Sequence, residues 1–462
     1  MRSAPSRAEL KTPATAAVPR GLASPAPSAA AVARAGTLNL VARITSGTAT
    51  LALAVVTTNV LSTHDRGVYV VITTWTGIVA TVVTAGSPVL AADLVHGRQP
   101  QQVLHGAATA LAVATASLLV PAALVISLLV DGVGAPALLA AAILTVLVTY
   151  AFYEQFIAQA QGRVLVVSLT DVGLAVCPLM ASVAVAVLLH ATVTSLVVAW
   201  AVGALVPAAA NFIRVSGNGS LLIARGWAAA RSIARRSLGV AIVGGATLLC
   251  TRIDVLVVAA VISASAAGIY SIPVALATST LLLSRALLTV TYHPIMTAPP
   301  GELPGRLGVA LRHSVILVLV AGGLSVPVVA VGARYVFGEA YADIWKPYIL
   351  LVAANAFLCV AEMIMHVLLT RLERQRELVL ISLGMLVVNG VLAAIGAAWF
   401  GLMGAAASTA VAYAAAAAAE LACCAVLLGV PMRALAMPRR SDLASYWRLA
   451  RAMGARMRGA AS

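Results

Sequence analysis

The chain is 462 residues long, with 61% of them in the AVILMFWYC group and only 10% charged, whereas a soluble domain sits near half apolar and a quarter charged. No soluble core absorbs that excess, and apolar runs long enough to cross a hydrocarbon layer about 30 Å thick recur from end to end. The formal charge of +15 does not point to nucleic acid, because the basic residues punctuate apolar runs and form no single stripe interleaved with aromatics.

Residues 1–36 are rich in Ala, Pro and Ser with scattered Arg and no apolar signal core, which predicts a disordered cytoplasmic tail. Apolar runs bounded by charge, Gly or Pro then place twelve spans near 38–61, 68–92, 104–129, 137–160, 164–189, 192–213, 238–262, 267–292, 311–333, 347–370, 378–399 and 402–430. The break at 214–237 holds five arginines and no acidic residue, and it divides the spans into six and six. The expected organisation is therefore a first bundle over 37–213, a basic cytoplasmic linker over 214–237, a second bundle over 238–430 and a basic cytoplasmic tail over 431–462. Both termini are expected inside: that orientation puts 24 loop and tail cations on the cytoplasmic face and only Arg66, Arg334 and Lys346 outside.

The halves echo each other. Leu61-Ser62 followed by Gly67-Val68-Tyr69 reappears 201 residues later as Ile262-Ser263 followed by Gly268-Ile269-Tyr270, and Val167-Ser168-Leu169 is matched more loosely by Ile381-Ser382-Leu383. Repeated halves are how many transporters build a central site at the seam between bundles.

The second half also carries Asp254, then Gly268-Ile269-Tyr270, Phe337-Gly338-Glu339-Ala340-Tyr341, Asn389 and Gly401-Leu402-Met403-Gly404-Ala405-Ala406. In this order the run resembles the polysaccharide (O-antigen and exopolysaccharide) flippases of the multidrug/oligosaccharidyl-lipid/polysaccharide (MOP) exporter superfamily, over about 250–415 and more loosely before it. The resemblance implies an all-α integral membrane protein of about twelve helices in two six-helix bundles. It implies a central cavity that opens alternately to each face, and a lipid-linked oligosaccharide as cargo. It further implies a bacterial cytoplasmic membrane, with membrane lipids, a polysaccharide polymerase and glycosyltransferases as partners. The Ala-rich twelfth span and the long N-terminal tail depart from the family pattern.

A charge at mid-bilayer needs a partner, water or a cavity. Arg43, Asp93, Glu154, Asp171, Arg252, Asp254, Arg285, Glu362 and Glu420 all fall in or against spans. At 100° per residue Asn39, Arg43, Ser46, Thr50 and Thr57 share one face of the first span, as Ser271, Thr278 and Arg285 do on the eighth and Asn355, Cys359, Glu362 and His366 on the tenth. Arg43, Arg285 and Arg252, with Ser46 and Thr50, are the expected substrate contacts, since a guanidinium never deprotonates and offers paired donors to phosphate. Asp254, Glu362, Glu154 and Asp171 are the expected ion-coupling carboxylates. On a regular helix Arg252 and Asp254 would point about 160° apart, which predicts Asp254 toward the cavity and Arg252 toward a neighbouring helix. Arg66 is expected as a solvated loop charge, and Glu420, in an alanine run, as a structural hydrogen bond.

No catalytic residue is assigned: a membrane polymerase or ligase would need a carboxylate-bearing outer loop, and every outer break is short. Direct ATP hydrolysis would need a Gly-rich phosphate loop with a following Lys, which is absent. The five cysteines lie in apolar runs without metal or redox spacing, so neither cofactor nor metal is expected. The nearer alternative is a cation-coupled multidrug exporter of the same superfamily, against which stand the low aromatic content of 5% and arginines that repel cationic drugs.

Overall fold

The computed structural model describes residues 29–84, 87–95, 98–129, 135–161, 163–216, 223–296, 298–372 and 374–436. Every regular element among them is helical, as lipid demands: with no water to satisfy peptide groups, a spanning segment must bond its own backbone. The helices are α1 (Ala29–Val60), α2 (Thr63–Thr84), α3 (Ser87–Val95), α4 (Gln101–Leu129), α5 (Ala135–Ala160), α6 (Val164–Leu188), α7 (Val193–Ser216), α8 (Ile223–Cys250), α9 (Ile253–Val261), α10 (Ala264–Met296), α11 (Leu303–Phe337), α12 (Trp345–His366), α13 (Gln375–Leu428) and α14 (Met432–Ala436).

Ten of the described helices are long and apolar enough to cross a membrane. The count reaches eleven if α8 is taken as one bent span, its first part, Gly226–Ser237, lying at 62° to Ala241–Cys250; the latter continues into α9 across a break at Thr251 and Arg252. The twelfth lies inside α13. Its 54 residues would run about 80 Å if straight, but at Gly401 the backbone leaves the helical region with φ 60° and ψ −142°. There the chain doubles back: a Cβ on Gly404 would sit 1.9 Å from the Gly396 carbonyl oxygen, and Ser408 Oγ donates across the hairpin to the Leu392 carbonyl at 2.7 Å. Only glycine tolerates both the positive φ and that approach.

Boundaries shift for physical reasons. α1 runs through residues 29–36, which the sequence assigns to the tail; residues 1–28 and 437–462 lie outside the described residues. α2 begins at Thr63 and not at 68, because Ser62 Oγ caps it by accepting the Asp65 N–H at 3.1 Å. Ser263 Oγ caps α10 in the same way through the Ala266 N–H, also at 3.1 Å. The two serines are the ones that echo at 201 residues, so the repeat marks one supersecondary unit used twice.

The first half packs through α1 on α6, α4 and α7 on α5, α6 on α7 and α2 on α5; the second through α11, α10 and α13 on α12 and α8 and α9 on α13. The halves meet where α2 crosses α10 and, to a similar extent, where α8 lies on α4. A Cβ on Gly67 would fall 1.7 Å from the Ala264 carbonyl oxygen, and one on Gly268 would fall 2.5 Å from that of Thr63. Backbone touches backbone, and the repeated glycines make that crossing possible. At the other end the first part of α8 lies on α4, with Gly226 against Gly106. Arg236 grips Asp93 on α3 with both guanidinium ends, at 2.8 and 2.5 Å, and this hydrogen-bonded cation holds the Asp93 carboxyl below its ordinary range.

Candidate functional site

Three adjoining chambers share lining residues: one between the halves, one within the second half and one mostly within the first. The first, about 270 Å³, is lined by Arg43, Ser46 and Thr50 of α1, Asp171 of α6, and Thr278 and Arg285 of α10. The second, about 110 Å³, shares Thr278 and Arg285 with it and adds Arg252, Asp254, Asn355, Thr409 and Tyr413. The third, about 360 Å³, shares Thr50 with the first and Arg252 with the second, and reaches Tyr69, Phe152 and Trp200 in the first half. All five residues expected to contact substrate thus line these adjoining chambers, together with Asp171 and Asp254.

The arginines differ in how they are held. Arg285 is paired with Glu362 of α12, Nε to Oε2 at 3.1 Å and Nη2 to Oε1 at 2.6 Å, a fork geometry that lysine cannot reproduce. The guanidiniums of Arg43 and Arg252 donate no hydrogen bond and form no ion pair among the described residues, and Arg43 Nε is buried without a partner. The expectation for Arg252 is corrected here. The helix is not regular at this point: the break at Thr251 and Arg252 turns both Arg252 and Asp254 into the second chamber, and Arg252 reaches no neighbouring helix by a hydrogen bond.

The break leaves its own signature. The Cys250 carbonyl, freed at the end of α8, accepts from Asn389 Nδ2 at 2.8 Å and from the Tyr413 hydroxyl at 3.3 Å. Irregular backbone at membrane depth persists only where protein or a polar cavity satisfies it in this way. Asp254, 1% exposed, opens α9, where the helix dipole favours a carboxylate. Its Oδ2 accepts from Tyr270 at 3.0 Å and Thr409 at 3.3 Å, and its Oδ1 from the Val255 N–H at 2.8 Å. Asp171 accepts from Gln155 Nε2 at 2.6 Å.

Glu154 lies elsewhere. It lines none of the three chambers; it is buried among α4, α5 and α7, where His105 Nδ1 approaches it at 2.8 Å and Arg214 at 3.6 Å. Glu420 is buried with Oε2 unpartnered among the described residues, in contrast to the structural bond expected for it. Arg66 is the clearest departure. It is not solvated but 3% exposed, donating to the carbonyls of Ala54 at 3.0 Å and Gly268 at 3.2 Å, to Ser271 Oγ at 3.2 Å and to Thr57 Oγ1. It therefore ties α1 and α2 to α10 beside the glycine crossing. Thr409, Tyr413, Phe152 and Trp200 carried no sequence signal, since hydroxyl and aromatic residues in apolar runs are the norm.

No protein-family model matches the sequence, and no curated protein matches it. Solved structures do. An inward-facing multidrug resistance MATE family transporter of the MOP superfamily superposes with a TM-score of 0.65 at 12% identity, over 85% of this chain and 98% of that one. A MOP superfamily transporter from Pyrococcus furiosus gives 0.61 at 12% identity, over 86% and 95%. Lipid II flippase MurJ, in an inward closed conformation, gives 0.59 at 11% identity, over 86% and 89%. The fold is that of the MOP superfamily transporters. The fold is shared between drug transporters and a lipid flippase, so it does not by itself assign a function.

Proposed function

We propose that this MOP-fold protein is a flippase that moves a polyprenyl-diphosphate-linked oligosaccharide across the cytoplasmic membrane by alternating access, with both termini inside. The observation that carries the reading is the pair Arg43 and Arg252: two guanidiniums, one from each half, line adjoining chambers, and among the described residues neither is hydrogen-bonded or ion-paired to a carboxylate, although Asp171 acts on Arg43 and Asp254 on Arg252 electrostatically. The cavity carboxylates, by contrast, are engaged by Arg285, Gln155, Tyr270 and Thr409. A cationic drug would be better met by free carboxylates; a diphosphate is better met by free guanidiniums. Arg285 can join them by exchanging Glu362 for phosphate oxygen.

With the termini inside, the glycine crossing and Arg66 close the outer end, and the Arg43 and Arg285 chamber faces the cytoplasm, where lipid-linked sugars are assembled. Asp254 and Asp171 couple the cycle to protons or sodium; Glu362 acts through Arg285, and Glu154 sits apart in the first bundle. Glycosyltransferases supply the cargo and a polymerase consumes it. Orientation is tested by cysteine labelling: Ser265→Cys and Ala342→Cys react with an impermeant reagent from outside, and Gly301→Cys does not. Labelling of Gly301→Cys from outside overturns the orientation. The cargo is tested in liposomes with a fluorescent polyprenyl-diphosphate sugar, which the wild-type protein flips; transport of a cationic dye in its place supports the multidrug alternative.

A further inference from the structure

We propose that the third chamber is a sugar-binding subsite, formed almost wholly by the first half, that holds the uncharged ring next to the diphosphate. The inference rests on reading the cargo as a lipid-linked sugar and adds where that sugar sits. Three observations converge. The chamber has about 360 Å³, and none of its described lining residues is acidic, so it offers no carboxylate to a cation. Its walls carry the aromatic faces of Tyr69, Phe152 and Trp200 beside the hydroxyls of Thr73, Thr74 and Thr81. Tyr69 is 5% exposed and its phenol oxygen has no hydrogen-bond partner among the described residues, although the group is a donor that burial leaves costly to strand.

Pyranose rings match this surface. Their faces present C–H bonds that carry partial positive charge and stack on the negative face of an aromatic ring, while their rims present hydroxyls to polar side chains. Tyr69 and Trp200 stand with ring centroids 6.3 Å apart and tilted by 33°, so they form two adjoining panels and not a closed stack. The chamber shares Thr50 with the first chamber and Arg252 with the second, which places a diphosphate at Arg252 beside a ring held between α2, α5 and α7.

The test measures, in detergent-purified full-length protein, affinity for a polyprenyl diphosphate bearing one hexose and for the same polyprenyl diphosphate without sugar. Wild-type protein prefers the hexose-bearing lipid. In Trp200→Ala that preference ratio falls about tenfold, Trp200→Phe restores most of it, and Tyr69→Phe lowers it a few-fold. The last variant removes a single oxygen and keeps the test decisive if Trp200→Ala does not fold. If both lipids bind and neither variant moves the ratio, the subsite is overturned while the flippase reading stands. If wild-type protein binds neither lipid and instead binds a cationic dye in a Trp200-dependent way, both are overturned.

Discussion

The two halves use the same helical unit for different tasks. Tyr69 and Tyr270 occupy equivalent places in the 201-residue echo, each a few residues beyond a serine cap and a glycine that crosses the partner helix. Tyr270 donates to Asp254, whereas the residue 201 positions before Asp254 is Leu53 and the Tyr69 hydroxyl is unpartnered. The second half therefore holds a buried carboxylate at a broken span, and the first half has instead an open chamber lined by aromatics and threonines. The same asymmetry appears three residues before the tyrosines: Arg66 stands where the second half has Ala267, so only one of the two units supplies the cation that locks them together.

This division can be broken by substitution. The largest effect is expected from Asp254→Asn, which abolishes gradient-driven transport while leaving the protein folded in the membrane, because the carboxylate is the only titratable member of its hydrogen-bonded cluster that carries a charge in its usual state. Normal ion-driven transport by that variant would remove the second half's distinct role. Next, Gly67→Val drives a branched side chain into the Ala264 carbonyl and disrupts the α2–α10 crossing. A cysteine at Thr57 then becomes reactive from outside, where it is protected in the parent protein. Tyr270→Phe and Tyr69→Phe form a matched pair: the first weakens the ion dependence of transport by a few-fold, about 1 kcal/mol for one lost hydrogen bond, and the second leaves that dependence as it is. Equal effects on coupling would show that the two tyrosines are interchangeable. The smallest effect is expected at the linker, where Asp93→Asn costs about 1 kcal/mol or less since Arg236 is 40% exposed. Because the folded Asp93 carboxyl is held below its ordinary value, its contribution is fully present above that value and is lost as pH falls through the lowered one. The thermal midpoints of parent and variant should therefore converge in acid.

Much of this architecture is legible in the sequence, because the bilayer imposes a simple length and polarity rule. The run of long apolar helices follows from apolar stretches, the hairpin within α13 from Gly401, and the polar faces of α1 and α10 from a 100° rotation per residue. Three things escape that rule. The break at Thr251 and Arg252 has no Pro or Gly to announce it, so a regular helix is the natural inference, and the direction of Arg252 comes out wrong. The burial of Arg66 depends on a cap at Ser62 and on carbonyls some 200 residues away, neither of which periodicity reports. The separation of Glu154 from the cavity reflects which face of α5 meets α4 and α7, and a helix polar on several sides leaves that choice to tertiary packing.

The central claim, that arginines from both halves close on one anionic headgroup, is tested most directly by the rate at which reconstituted protein flips a fluorescent polyprenyl-diphosphate sugar. Arg43→Ala and Arg285→Ala are each expected to slow flipping tenfold or more, as the loss of a charge-assisted bond worth roughly 1.5–3 kcal/mol requires, with thermal stability close to the parent's in Arg43→Ala and lowered in Arg285→Ala, which leaves Glu362 without its partner. Arg→Lys at either position should also slow it, because a point charge loses the paired donors. Unchanged flipping in the Arg43→Ala/Arg285→Ala double variant would contradict the account and return both side chains to an interfacial role.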